Sequence, residues 1–156
     1  MSTTHLRDHI AVTSPVAQTE LRLESFFARN RDGDGTTHLT LRVPMDPVAG
    51  FAGLALEHGV RVRARRDRDD QNLNDLIRIA WEPEGDGPYP KFEGTLVTWA
   101  EHDPARTFLE LDGTYEPPMS AAGEAFDATV GHAIAQRTAR ALLQDLGRAI
   151  SEDSAG

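Results

Sequence analysis

Tyr115, Asp75, Arg137 and His132 are the polar side chains whose spacing sets them among apolar neighbours, so they are the groups with which this chain could do chemistry. Tyr115 shares a strand-like face with Leu109, Leu111 and Gly113, and Asp75 shares one with Ile77, Ile79 and Trp81. Arg137 lies one turn beyond Ile134 on a helical stripe that His132 precedes. In an apolar pocket, desolvation shifts pKa values and fixed donors act strongly on an enolate or carbonyl. There Tyr115 would donate to a carbonyl, Arg137 would hold an oxyanion, and Asp75 or His132 would abstract a proton. Each also has a purely structural use. Tyr115 serves equally as a core aromatic with its hydroxyl at the rim. Arg137 can snorkel from a helix, Asp75 can follow a turn at Asn72, and His132 can pack on a helix surface.

Such groups need a scaffold, and Tyr89 to Ile150 describes one. Phe92 to Ala100 alternates, with Phe92, Gly94, Leu96 and Thr98 on one face; Thr107 to Tyr115 alternates likewise. Val97, Trp99 and Phe108 give the reverse faces some apolar character. Glu101 to Arg106 contains Pro104 and reads as a tight turn, which predicts an antiparallel hairpin. Pro117 and Pro118 cannot donate to a ladder and end the second strand. From Ser120, an N-cap by residue type, the spacing predicts a long amphipathic helix to Ile150, with a kink or break at Gly131 where the apolar line changes.

Upstream, residues 1–16 are polar and read as a flexible arm, and residues 152–156 as a frayed tail around a domain spanning 17–151. Glu20 to Phe27 and His38 to Val43 read as strands joined by a hairpin at Asn30 to Gly35. Residues 47–56 suggest a short helical segment plugging one end of the sheet. Val60 to Ala64 and Asn72 to Trp81 supply further strands, followed by a loop at Glu82 to Pro88.

Two motifs carry a sharper chemical reading beside a plain one. Asn30, Asp32 and Asp34, with Gly35 after them, match the first half of a Ca²⁺ loop, but Leu41 stands where a bidentate glutamate is required. An Asp/Gly-rich turn explains the same residues, and no metal is expected. Arg61, Arg63 and Arg65 project from one strand face and could grip an anion; the adjacent Asp67, Asp69 and Asp70 favour a solvated outer face. The sequence carries no nucleophile motif or phosphate loop, and neither Gly-Asp-Gly run, at 33–35 or 85–87, has a dinucleotide-binding context, so no cofactor is expected.

A net charge of −9 opposes binding to nucleic acid or anionic membranes, and no apolar run approaches a bilayer span. The chain has no cysteine, which excludes disulfides and thiolate chemistry. With no signal-peptide core in Met1 to Thr13, a cytoplasmic location is the expectation.

Trp81 before a Gly/Pro loop, Tyr89-Pro-Lys-Phe-Glu-Gly-Thr-Leu96, Gly113-Thr-Tyr-Glu-Pro-Pro118, and a C-terminal helix with His132, Thr138 and Leu142-Leu143 together resemble the SRPBCC superfamily of START/Bet v 1-like helix-grip proteins. The resemblance spans residues 60–150 and rests on the order of elements. It implies an α+β fold: a curved antiparallel sheet wrapped about the C-terminal helix, enclosing an apolar cavity. Members bind lipids, sterols, plant hormones or polyketides, and the group includes polyketide cyclases and aromatases. Such proteins usually place two helices between the first and second strands, where this sequence offers only the segment at 47–56.

Three functions follow as expectations. The first is a carrier or sensor of a hydrophobic small molecule, its pocket lined by Trp81, Phe92, Leu96, Leu111, Tyr115, Phe126, Val130 and Ile134. The second is a small cyclase, aromatase or isomerase using that pocket. The third is an interaction module whose interior is filled by its own side chains and which forms a homodimer through an edge strand.

Overall fold

Alternation decides the sheet. In a computed structural model describing residues 4–44, 55–69, 74–84, 91–100, 102–116 and 128–155, Thr107, Leu109, Leu111 and Tyr115 are buried while the residues between them are not. They belong to strand β6 (Thr107–Glu116), which pairs in antiparallel register with β5 (Lys91–Trp99). The turn between them closes through Arg106 N–H on Asp103 O at 3.1 Å and Ala105 N–H on Asp103 Oδ1 at 2.9 Å. Outward from β5 lie β4 (Asn74–Pro83), β3 (Ala55–Asp69) and β2 (Thr37–Pro44), and outward from β6 lies β1 (Thr4–Val12). Every neighbouring pair is antiparallel.

The sheet curls around helix α2 (Ala128–Ala155), which packs against both edge strands, β1 and β2. Helix α1 (Val16–Arg29) crosses the same concave side and packs on α2 and β5. The core fills this concavity with Leu96, Leu109 and Leu111 from the sheet and Ile134, Leu142, Leu143 and Leu146 from α2. On the convex side, Trp99 stacks on Phe108 with ring centroids 4.5 Å apart, which accounts for the apolar character of those outer faces.

Gly94 and Gly113 sit opposite each other in β5 and β6. A Cβ on either would lie 2.7 Å from the partner's Cα, so only residues without side chains permit this approach of the two backbones. Glycine pairs of this kind let a sheet bend sharply where α2 must fit.

Several sequence expectations are corrected. Residues 4–12, expected in a flexible arm, form β1. Its inward positions are Leu6, Asp8, Ile10 and Val12, and Asp8 breaks the apolar alternation because Arg140 of α2 meets its carboxylate at 2.7 Å. Glu20 to Phe27, expected as a strand, is helical. The operative spacing is four, with Thr19, Leu23 and Phe27 buried and Leu21 63% exposed. The segment Asn30–Gly35 therefore joins a helix to a strand rather than two strands. α1 supplies helix between β1 and β2, which the resemblance requires and the strand-like spacing of Leu21 and Leu23 conceals. Of the helical segment expected at 47–56, residues 47–54 lie outside the described residues and Ala55 and Leu56 open β3. α2 continues through Gly131 without a break and remains helical to Ala155, past the expected start of fraying. Its expected beginning, 120–127, lies outside the described residues.

Candidate functional site

One row of the concave face runs Tyr115, Phe92, Trp81, Val62 in direct cross-strand register. Trp81 and Phe92 stack with centroids 4.2 Å apart, and the Phe92 ring reaches over Gly113, 2.7 Å from where a Cβ would stand. Tyr115 Oη lies 2.8 Å from Nδ1 of His132, which α2 projects toward the sheet. Burial pushes the Tyr115 phenol above its ordinary pKa, so it is a neutral hydroxyl at pH 7. The hydrogen bond can run either way: the phenol donates to an imidazole protonated at Nε2, or accepts from Nδ1–H. Trp81 Nε1 is a buried donor with no hydrogen-bond partner among the described residues.

Two rows further along the sheet, a cavity of about 360 Å³ opens between α1 and β3, β4 and β5. Leu23 and Phe27 of α1 face Ala64, Ile77 and Leu96 across it, and together they give it an apolar floor. The α1 positions Glu20, Leu23, Glu24 and Phe27 recur at helical spacing and so share one face. Glu20 is half-buried and accepts from Thr98 Oγ1 at 3.0 Å. Glu24 lies 3.6 Å from Arg66, and both are exposed at the mouth, as is Arg31. The gap persists because α1 is held mainly from its other side: Arg22 donates to Ile150 O of α2 and to Ser14 Oγ, each at 3.2 Å.

The residues expected to line a pocket divide between these regions. Leu96 lines the α1 cavity, whereas Trp81, Phe92, Leu111, Tyr115 and Ile134 are buried in the core. Phe126 lies outside the described residues, as do the side chains of Val130 in α2 and Asp75 in β4. The structure brings Tyr115 and His132 together, and Arg137 is half-buried further along α2. Sequence reasoning missed Glu20, Glu24 and Arg66. Arg66 has the same parity as Val60, Val62 and Ala64, so carrying the alternation past Ala64 would have placed it on the inner face.

Arg61, Arg63 and Arg65 occupy the outer face. Arg61 meets Glu82 at 3.0 Å, while Arg65, at 3.9 Å, and Arg78 meet Asp67. The oxygens of the Asn30–Gly35 segment do not converge. Asn30 Nδ2 donates to Phe26 O at 2.8 Å, Asp34 Oδ1 accepts from Thr36 N–H at 3.0 Å, and Asp32 meets His38 Nε2 at 2.8 Å. Among the described residues no group of three or more His, Asp or Glu is arranged to hold a metal ion.

His38 also bonds Glu84 through Nδ1, so its ring is held between two carboxylates. The Glu84 hydrogen bond, helped by the charge of Asp32, raises its pKa above the ordinary histidine value. A raised folded-state pKa stabilises the fold fully below the unfolded value, near pH 6.5, and that contribution is lost as pH rises through the folded value. Stability measured in urea should therefore fall between about pH 6 and 8 more in the native sequence than in His38→Gln, and an NMR titration should give His38 a pKa above that of a free histidine.

No family model matches the chain, and no curated protein matches it. Solved structures do. A Thermus thermophilus protein aligns over 97% of this chain and 99% of its own, at 20% identity and a TM-score of 0.54. The Zhui aromatase/cyclase from Streptomyces sp. R1128 aligns over 98% and 94%, at 17% identity and 0.55. A conserved Geobacillus kaustophilus protein aligns over 96% and 97%, at 12% identity and 0.60. These likenesses show the fold: the chain has the helix-grip architecture that its resemblance to the SRPBCC superfamily implied. None of the described helices is long and apolar enough to cross a membrane.

Proposed function

We propose that this protein binds an apolar small molecule on the concave side of its sheet, in the space between α1 and strands β3 to β5. The observation that carries this reading is the 360 Å³ cavity with an apolar floor and a few polar groups at its edge. That volume lies within the roughly 300–1,000 Å³ typical of small-molecule sites, and such a lining suits a ligand held by burial and oriented by few hydrogen bonds. The cavity takes its lining from α1, Arg31 and the sheet, whereas the sequence pattern set the expected pocket between the sheet and the C-terminal helix. Native mass spectrometry of gently purified protein tests the reading: a reproducible bound mass, or saturable uptake of N-phenyl-1-naphthylamine, is expected. Absence of both overturns it.

A second reading, a cyclase, aromatase or isomerase, is favoured by the Tyr115–His132 hydrogen bond at 2.8 Å on the same concave side. In it the Tyr115 phenol polarises a carbonyl while His132 handles the proton, and Arg137 and Asp75 remain candidates for an oxyanion holder and a base. If the protein is such an enzyme, Tyr115→Phe retains binding of the identified compound and loses its turnover.

A further inference from the structure

One of the half-buried polar groups lining the α1 cavity is an acceptor. Glu20 is half-buried, whereas the guanidiniums of Arg31 and Arg66 and the carboxylate of Glu24 stand exposed at the mouth. Arg66 meets Glu24, but among the described residues the one partner of Glu20 is the Thr98 hydroxyl. A carboxylate accepts about four hydrogen bonds. Thr98 supplies one, which leaves acceptor capacity for a molecule in the cavity.

We propose that Glu20 reads the bound molecule and that the molecule presents it with an N–H or O–H donor, either a hydroxyl or an ammonium. This rests on the small-molecule reading above and narrows it to a ligand class: an apolar body carrying one donor. An ether, ketone or carboxylate of the same shape would bring lone pairs against lone pairs, so the geometry selects against it as well as for the donor. Thr98 is a positioning residue, since its hydrogen bond fixes the rotamer from which Glu20 faces the floor formed by Leu23, Phe27 and Leu96. The net charge of −9 assists the approach of an ammonium, while the arginines at the mouth oppose it; a hydroxyl is indifferent to both.

Probes sharing one ring system separate the cases: 1-naphthalenemethanol, 1-naphthylmethylammonium, and 1-(methoxymethyl)naphthalene, which lacks a donor. Binding is measured by calorimetry on the full chain. At least one donor probe is expected to bind about tenfold or more tightly than the methoxymethyl compound, as a hydrogen bond to a charged group implies. Glu20→Leu should abolish that preference while the methoxymethyl probe still binds. Glu20→Gln keeps an acceptor oxygen without the charge, so it should preserve a preference for the alcohol and lose one for the ammonium. Equal affinities in the native sequence, or a preference that survives Glu20→Leu, overturn the inference and leave the small-molecule reading standing. Failure of all three probes to bind saturably overturns the inference, and overturns the small-molecule reading as well when the protein shows no bound mass and takes up no N-phenyl-1-naphthylamine. Should Glu20→Leu not fold, Glu20→Gln and the native-sequence comparison still decide the matter.

Discussion

Replacing Gly113 with alanine is expected to lower the melting temperature by about 10 °C. The added methyl has nowhere to go: its carbon would stand 2.7 Å from Gly94 Cα and 2.7 Å from the Phe92 ring. The ring could turn aside, but the opposing backbone can yield only if β5 and β6 separate. Overpacking of this kind costs about 1–3 kcal/mol, and an obstacle that is main chain puts the change at the upper end. For a chain of this length each kcal/mol is worth about 2–4 °C. Gly94→Ala should behave alike, because its methyl would strike the carbonyl of Asp112 and the Gly113 Cα. Gly33→Ala is the control: nothing lies within 4 Å of its Cβ position, and its melting temperature should barely move. Equal melting temperatures for Gly113→Ala and Gly33→Ala would show that the two strands do not approach as described.

Ile77→Trp is expected to weaken small-molecule binding about a hundredfold with little change in stability. Ile77 is half-buried and faces the α1 cavity from β4, so the larger indole can enter existing space instead of displacing the core. Denying a ligand about 100 Å² of apolar contact forfeits about 2.5 kcal/mol at about 25 cal/mol per Å², which is close to a hundredfold in affinity. The bound mass seen with the native sequence should disappear from the variant, while unfolding free energies in urea agree within about 0.5 kcal/mol. A variant that folds normally and keeps the ligand at full affinity would place the ligand elsewhere.

The sheet is legible where alternation is clean. In β5 and β6 the inward residues Leu96, Leu109, Leu111 and Tyr115 follow the period of two without interruption, and the expected hairpin forms in that register. β1 is not legible, because Asp8 occupies an inward position and its partner, Arg140, lies more than a hundred residues away on α2. No local pattern announces an ion pair between elements so far apart. α1 misleads for a different reason: Leu21 and Leu23 imitate a strand, and only the longer series Thr19, Leu23, Phe27 reveals the helix. The site inherits both results. Tyr115 and His132 stand out because each sits on a well-patterned element, although nothing in the sequence announces their contact. Glu20 and Glu24 are hidden by the strand-like start of the helix, and Arg66 by an alternation that loses its apolar members after Ala64.

β3 outruns its neighbour. β2 pairs with it only as far as Val62, and among the described residues no strand continues along that side beside Arg63 to Asp69. A bare strand flank invites another chain to hydrogen-bond onto it, yet this one reads Arg-Ala-Arg-Arg-Asp-Arg-Asp. The sequence of this flank carries four arginines against two aspartates, so a second copy brought alongside meets a net positive charge before any ladder can close. The same stretch that borders the ligand cavity therefore also guards the sheet against growing sideways into fibres, and concentrated salt, by screening those charges, should relax that guard.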